Sequence, residues 1–248
     1  RLEGRDYRLD RLERADATLV EATRVESGVY LPSDESETRV VPRPFAAPVP
    51  VFSVFLDLPL MSGEEVPHAP HVAVTASPWP GSVALYGSDQ DAGYALKATV
   101  PRGAVMGELQ SPVGPAREGV WDRGTVMRLK LAGGAVSAAS AEQVLNGANL
   151  IALGDGSSDR WELIQFAEAT LVAPETYDLS LLLRGQAGTG EVGAQGWAPG
   201  AIAVLMDGAP LQIPLSLSER DLARHWRIGP ATRGYDDPSY THSVVAFA

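Results

Sequence analysis

Short runs of alternating apolar and polar residues, separated by glycine and proline, recur along most of this 248-residue chain. A period of two is typical of a half-buried β-strand. Closely spaced short strands with such turns indicate a sandwich or a barrel instead of a βαβ repeat. The predicted strands cover residues 51–58, 71–76, 82–86, 94–100, 105–110, 126–131, 149–153, 161–168, 177–184, 201–206, 211–215 and 225–228. The predicted fold class is therefore mainly β, with small barrel-like or sandwich-like domains of short antiparallel strands and one or two short helices.

The helices are predicted at two places. Ser140 can cap a helix over residues 141–145, which Asn146 and Gly147 would end. Residues 217–223 favour a single helical turn. Between them, 201–206 is predicted as a fully buried strand, joined by an Asp-Gly hairpin turn at 207–208 to the strand at 211–215. The segment 225–228 is predicted to be the last strand.

The first residues predict a β-hairpin that turns at residues 14–16. A strict alternation would place Tyr7, Leu9 and Arg11 on one face, and Leu12 on the other. The leucine spacing of 6–13 also permits a helix. The β-branched residues that follow in 18–26 favour the strand.

Five prolines interrupt residues 31–50 and predict an extended linker. The domain organisation predicted from this segment is a hairpin at 1–30 that completes an upstream domain, the linker at 31–50, a β domain at 51–135 and a second β domain at 136–248. The chain begins with Arg1 and not methionine, so we expect it to be a piece of a longer polypeptide.

Composition narrows the function classes. There is no cysteine, so disulfides, thiolate metal sites and cysteine nucleophiles are excluded. A net charge of −11 argues against a sequence-specific nucleic-acid groove, which needs lysine and arginine to neutralise phosphate. The longest apolar run, residues 201–206, is too short to span a bilayer.

Candidate cofactor and metal residues favour structural interpretations. The loop 185–190 has the glycines of a phosphate-binding loop but lacks its lysine and the following helix. His68 and His71 are separated by proline and would not share a helix face as zinc ligands do. The aspartates at 155, 159, 236 and 237 lack EF-hand spacing and suit tight turns. We predict no metal and no cofactor.

No catalytic residue is predicted either. The chain has no G-x-S-x-G elbow. Glu162 and Glu168 lie on an alternating strand, where we expect both to face solvent instead of forming a hydrolase pair. Arg184 ends an apolar strand and needs partners, for which a loop carbonyl, Glu162 or Glu168 are the candidates. Gly185 would allow a backbone turn that a larger residue resists.

Aromatic residues in turns leave a second function open. Trp79 and Trp197 are candidates for stacking on sugar rings or for an interface, with core packing as the alternative. A carbohydrate-binding module that recognises envelope or capsular glycan, accessory to a glycoside hydrolase, is therefore the rival interpretation. A hydrolase on this chain ranks third.

A resemblance points elsewhere. WELIQFAEATLVAPETYDLSL, followed by LRGQAGT at 183–189, resembles a pattern of phage tail-tip or baseplate hub proteins, in particular the large hub protein of alphaproteobacterial gene transfer agents (its C-terminal part). Further similar pieces are VFLDLPL, ASPWPGSVALYGS, LNGANLIALGDG, DGAPLQIPL and DDPSYTHSVVAFA, so the resemblance covers most of the chain from residue 51 onward. The motif residues that carry it are Trp161, Phe166, Tyr177, Arg184, Gly185, Gln186 and Gly188.

The resemblance implies a structural protein of a particle tail that is assembled in the bacterial cytoplasm. It would take part in tail assembly, attachment to the host envelope and DNA delivery. Its expected partners are two further copies in a homotrimer, other tail or baseplate proteins, and a host envelope glycan or receptor. The large family member also carries a glycosidase-like TIM barrel elsewhere. Since this chain lacks the eightfold βα rhythm, hydrolase activity is not transferred to it.

Overall fold

The computed structural model describes residues 5–26, 50–115 and 117–248. The chain divides into two compact units, residues 1–46 and 47–248. The boundary between them falls inside the segment predicted as a linker, of which residues 31–49 lie outside the described residues.

The first unit contains an antiparallel hairpin of β1 (Tyr7–Arg14) and β2 (Thr18–Arg24). The strand prediction is confirmed, but the predicted faces are wrong. A bulge between Leu9 and Arg11 adds one residue to β1 and shifts the register. Leu9 then pairs with Ala22 and Leu12 with Val20, so both leucines lie on one face of the hairpin.

The second unit is built from strands β3 to β16, with one short α-helix, α1 (Ala141–Leu145), among its described residues. The strands are β3 (Phe52–Leu56), β4 (His71–Thr75), β5 (Val83–Ser88), β6 (Ala95–Val100), β7 (Met106–Leu109), β8 (Trp121–Asp122), β9 (Met127–Leu131), β10 (Leu150–Gly154), β11 (Trp161–Ala173), β12 (Thr176–Gln186), β13 (Ile202–Leu205), β14 (Leu211–Gln212), β15 (Arg224–Pro230) and β16 (Thr241–Val245). The mainly β fold class is confirmed.

Six of these strands close into an antiparallel barrel. The ring runs β11, β10, β13, β7, β9, β12 and back to β11. β8 pairs with Leu182 and Leu183 of β12, beyond the residues of β12 that pair with β9. Side chains alternate along each strand, so Ile164 and Phe166 of β11 fill the interior while Leu163 faces outward. The same alternation points Glu162 into the barrel end. Its predicted solvent-facing position is therefore wrong.

Two smaller sheets follow the barrel in successive layers: one packs on the barrel, and the second packs on the far face of the first. We call β14–β4–β3 the middle sheet and β16–β15–β5–β6 the outer sheet. Ala73 of β4 packs toward the barrel, whereas its neighbours Val72 and Val74 pack toward Leu85 and Trp226 of the outer sheet. The middle sheet is thus buried on both faces, which accounts for the continuous apolar run of β4.

Long-range pairing overrides several sequence-based expectations. β14 pairs with β4 and not with β13, so the predicted hairpin across residues 207–208 is wrong. β13 is only partly buried, and β15 is followed by one more strand, β16. The predicted domains 51–135 and 136–248 are not separate, because β7 and β9 complete a barrel with β10 to β13 and β15 pairs with β5.

Other local predictions are confirmed. Ser140 caps α1 and forms a reciprocal capping box with Gln143. The helix packs Val144 onto Ala167 and Leu183, on the outer face of the β11–β12 pair. Residues 217–219 form a single 3-10 turn. No helix in the described residues is long and apolar enough to cross a membrane.

Candidate functional site

A buried ion pair lies at one end of the barrel. The side chains of Glu162 in β11 and Arg184 in β12 have no exposed surface. Arg184 Nε donates to Glu162 Oε1 at 2.7 Å and Arg184 Nη2 donates to Oε2 at 2.8 Å. This is the two-pronged arrangement that a planar guanidinium makes with a carboxylate. Of the two acids proposed from the sequence as partners of Arg184, the structure brings Glu162 to it and leaves Glu168 exposed.

The ion pair is completed by groups from other segments. Trp197 Nε1 donates to Glu162 Oε2 at 2.7 Å, and the backbone N–H of Gly185 donates to Oε1 at 3.1 Å. Arg184 Nη1 donates to the carbonyl oxygen of Gly114 at 3.1 Å. The carboxylate therefore accepts four hydrogen bonds, which offsets the cost of removing two charges from water. We call Glu162, Arg184, Gly185, Trp197 and Gly114 the barrel-end cluster.

A β-bulge directs Arg184 inward. Gln165 pairs with Leu183 and Leu163 pairs with Gln186, so two residues of β12 oppose one of β11. Gly185 is one of these two and has a φ of +62°. A Cβ at that position would lie 2.7 Å from Gly190 Cα, so both the conformation and the space require glycine.

The glycines that follow make room for the carboxylate. A Cβ on Gly193 would lie 2.3 Å from Glu162 Oε2, and one on Gly196 would lie 2.3 Å from the carbonyl oxygen of Val113. Thr189 fastens the start of the loop, because its hydroxyl accepts from Leu163 N and donates to Gln186 O. The loop from residue 187 to 197 is therefore shaped by its contact with the ion pair and does not form a phosphate-binding loop.

This arrangement positions and neutralises charged groups. Both carboxylate oxygens of Glu162 are occupied by hydrogen-bond donors. A cleft of about 680 Å³ lies beside the cluster. Its charged side chains, Asp155 and Arg160, bind each other at 3.1 Å. The barrel-end cluster is best described as a structural clamp.

The motif residues occupy three different places. Phe166 is in the barrel interior, with Tyr177 packed against that core, and Trp161 lies between the barrel and the middle sheet. Arg184 and Gly185 belong to the barrel-end cluster. Gln186 and Gly188 continue into the loop, where Gln186 Nε2 donates to the carbonyl oxygen of Arg184. Their common property is that they hold the β11–β12 pair and its loop.

The two candidate tryptophans differ in exposure. Trp197 is only 6% exposed, and Arg160 lies over its ring at 5.3 Å. Trp79 is half-buried and packs against the core between the middle and outer sheets and against Gly103. Stacking on a sugar needs an accessible ring, so the position of Trp197 favours packing, whereas Trp79 keeps part of its surface exposed. The contribution of Trp197 to the barrel-end cluster was missed from sequence, where the close glycine spacing after residue 185 was the available signal.

The other candidate ligands are used in turns or in the core. Asp155 Oδ1 accepts from the backbone and hydroxyl of Ser157. Burial alone would raise the pKa of Asp155, but these hydrogen bonds and Arg160 outweigh it and lower the pKa. Asp237 binds Ser239 in the same way, Asp236 lies near Arg227, and Asp159 is exposed.

The two histidines considered as metal ligands from the sequence, His68 and His71, make different contacts. His68 Nε2 contacts the carbonyl oxygen of Leu215 at 3.0 Å. His71 is buried in β4, and burial lowers its pKa although Glu65 opposes the shift. A neutral imidazole in the core fits both observations.

A different group of ligand side chains meets on the outer sheet. Within residues 5–26, 50–115 and 117–248, Asp91, His225 and His242 are the group that brings three metal-ligating atoms within 4.8 Å of one another. Asp91 lies between β5 and β6, His225 in β15 and His242 in β16. The sequence does not show that the two histidines are close, since they are 17 positions apart and only strand pairing joins them.

Comparison with known proteins gives one family match. The family described as "Rcc01698-like, C-terminal" matches residues 104–204. This range contains almost the whole barrel, from β7 to β13, together with α1 and the barrel-end cluster. It is less than half of the chain. Comparison with curated proteins gives no match.

Proposed function

We propose that this protein is a structural component of a phage-like tail tip or baseplate hub, of the gene-transfer-agent type, and that it acts by assembly. In this role it would serve tail assembly, attachment to the host envelope and DNA delivery. Its site of action would be the particle tail, with two further copies of itself and other tail proteins as partners. The ordered series of motifs described above supports the family.

The observation that carries the assembly role is the exposed apolar face of the hairpin. Because of the bulge in β1, Leu9, Leu12, Val20 and Ala22 share one face with Tyr7. Leu9 is 57% exposed, Leu12 48% and Val20 52%. A two-stranded ribbon is only marginally stable by itself in water. An apolar ribbon face of this kind gains stability when another subunit covers it.

The opposite face differs in chemistry. It carries Arg8, Arg11 and Glu21, and Asp10 binds both Arg8 and Thr23. This face also carries Leu19, so it is mixed in chemistry, whereas the facing pairs Leu9–Ala22 and Leu12–Val20 make a continuous apolar stretch on the other face. The barrel-end cluster fits the same role, since it stabilises a scaffold and exposes no reactive group.

Light scattering of the whole chain over a range of concentrations tests the proposal. We expect a trimer that dissociates on dilution. The double variant Leu12→Ser, Val20→Ser removes a facing pair from the apolar face and should shift the mass to that of a monomer. Leu19→Ser, an equally exposed change on the opposite face, is the matched control and should remain trimeric.

Two results would count against the proposal. A wild-type chain that stays monomeric at every concentration would remove the support for self-assembly. Antibodies against the chain that fail to label the distal tail end of purified particles in electron microscopy would exclude the tail-tip location.

A further inference from the structure

We propose that Asp91, His225 and His242 form a binding site for a divalent transition-metal ion of the Zn²⁺ class on the outer sheet. The site is distinct from the barrel-end cluster. It is built from three segments of the fold: the turn between β5 and β6, β15, and the edge strand β16.

Strand register brings the two imidazoles together. His225 pairs with Val244 and Arg227 pairs with His242, so His225 and His242 are diagonal neighbours on the solvent face of the sheet. His225 Nδ1 and His242 Nε2 lie 3.1 Å apart, and the rings are nearly parallel at 11°. Zinc–nitrogen bonds of about 2.0–2.1 Å would separate two ligand nitrogens by about 2.9 Å at a right angle and about 3.3 Å at a tetrahedral angle. The observed separation lies between these values.

The third ligand is a carboxylate that its neighbours already orient. Tyr94 Oη donates to Asp91 Oδ1 at 2.5 Å and Arg227 Nη2 donates to the same oxygen at 3.1 Å. His242 Nε2 lies 3.9 Å from Oδ1. The hydrogen bonds from Tyr94 and Arg227 fix the position of the Asp91 carboxylate. Donors of this kind are what hold a ligating carboxylate in place at metal sites.

Arg227 is the opposing charge at this site. Its guanidinium also lies over the Tyr94 ring, donates to the carbonyl oxygen of Tyr235 and approaches Asp236 at 3.7 Å. The positive charge of Arg227 is therefore shared among Asp91, the Tyr94 ring and the Asp236 carboxylate. Both donors to Asp91 go to Oδ1, which is also the oxygen 3.9 Å from His242 Nε2, so an ion bound through Oδ1 would share it with these donors.

Two histidines and one carboxylate suit Zn²⁺, Ni²⁺ or Co²⁺ better than Mg²⁺ or Ca²⁺, which prefer oxygen ligands. Three protein ligands on an exposed face leave a coordination position for water or for a side chain of a neighbouring subunit. A bound ion would tie the edge strand β16 to the β5–β6 turn. The expected consequence is a higher melting temperature of the chain with metal than with chelator.

Titration calorimetry of the whole chain with ZnCl₂, after treatment with chelator, tests the site. We expect one ion per chain, no binding for His225→Ala or His242→Ala, and binding at least about tenfold weaker for Asp91→Asn. His68→Ala is the matched control and should bind as the wild type does.

Visible absorption of the Co²⁺-loaded chain provides a second readout. Ligand-field bands that are lost in either histidine variant would place imidazole nitrogen on the ion. Melting in chelator checks that each variant is folded. The proposal is overturned if the wild type binds none of Zn²⁺, Ni²⁺ and Co²⁺, or if binding persists in both histidine variants, in which case the imidazoles simply share a hydrogen bond.

Discussion

Arg184 and Glu162 are fully buried, and each satisfies hydrogen-bonding groups of the other. A chain gains little net stability from such a pair relative to apolar residues, but it loses much when one partner is removed. The reason is that the remaining charge stays in the barrel interior without a counterion. The pair therefore favours the one conformation of the barrel end in which both side chains find their partners.

We expect Arg184→Ala to lower the free energy of unfolding by about 3–5 kcal/mol, measured by urea denaturation. Arg128→Ala breaks an exposed pair with Asp178 and is the control, with a much smaller expected loss because water screens the pair. The double variant Glu162→Leu, Arg184→Met should lose less than Arg184→Ala, since no charge is left unpaired. Equal losses in Arg184→Ala and Arg128→Ala would contradict the clamp.

The sequence indicated part of this cluster. A single arginine at the end of an apolar strand required a partner, and Glu162 was one of two acids within reach. The choice between Glu162 and Glu168 depended on which way each points into the closed barrel. That direction could not be read from alternation alone, because an open sheet would have exposed the same position to water.

At the scale of elements, the 3-10 turn at residues 217–219 is tied to the outer sheet by charge. Glu219 binds Lys97 of β6 at 2.9 Å and Arg224 of β15 at 3.1 Å, and it accepts from the backbone N–H of Ser216. Burial alone would raise the pKa of Glu219, but these contacts outweigh it and lower the pKa from 4.5 to about 2. A carboxylate with a lowered pKa stabilises the fold above its unfolded value and loses that contribution as the pH falls.

Glu219→Gln should therefore lower the free energy of unfolding by about 1–2 kcal/mol at pH 7. The difference from wild type should shrink between pH 4.5 and 2, where the wild-type carboxylate takes up its proton. Urea denaturation at a series of pH values measures this, with the exposed Glu64→Gln as control. A difference that is constant from pH 7 to pH 2 would show that the charge of Glu219 is not involved.

Secondary-structure elements could be predicted from the sequence where interactions between neighbouring residues determine them. The capping box of α1 lies within four residues, and the β11–β12 pair needs only alternation and a short turn. β8 was missed, because two residues carry no periodicity. The bulge in β1 was missed because it depends on cross-strand pairing, and it changed which residues share the exposed face.

At the scale of the whole molecule, residues 47–248 are joined by the middle sheet. Val54 of β3 packs toward the barrel, and the next residue, Phe55, packs toward the outer sheet. Each face of one sheet therefore completes a different core. A change that disrupts either core should destabilise the middle sheet, which both cores share. We therefore expect the barrel, the middle sheet and the outer sheet to unfold together.

We expect calorimetry to show a single transition for this unit. Val54→Ala and Phe55→Ala should each move the whole transition to lower temperature, with losses of about 1–3 and 3–5 kcal/mol respectively. Phe52→Ala, an exposed position on the same strand, is the control. Two separate transitions, or a variant that shifts only part of the heat absorbed, would show that the cores are independent.

The sequence by itself determined the class of the fold, most strands, the capped helix and the need of Arg184 for a partner, because each depends on residues close together in the chain. Tertiary structure decided which strands pair. It joined β14 to β4 and β15 to β5, closed the barrel across the predicted domain boundary, and turned Glu162 inward. It also brought Asp91, His225 and His242 together. These outcomes depend on burying apolar faces that lie far apart in sequence, and alternation along one strand contains no information about its neighbour.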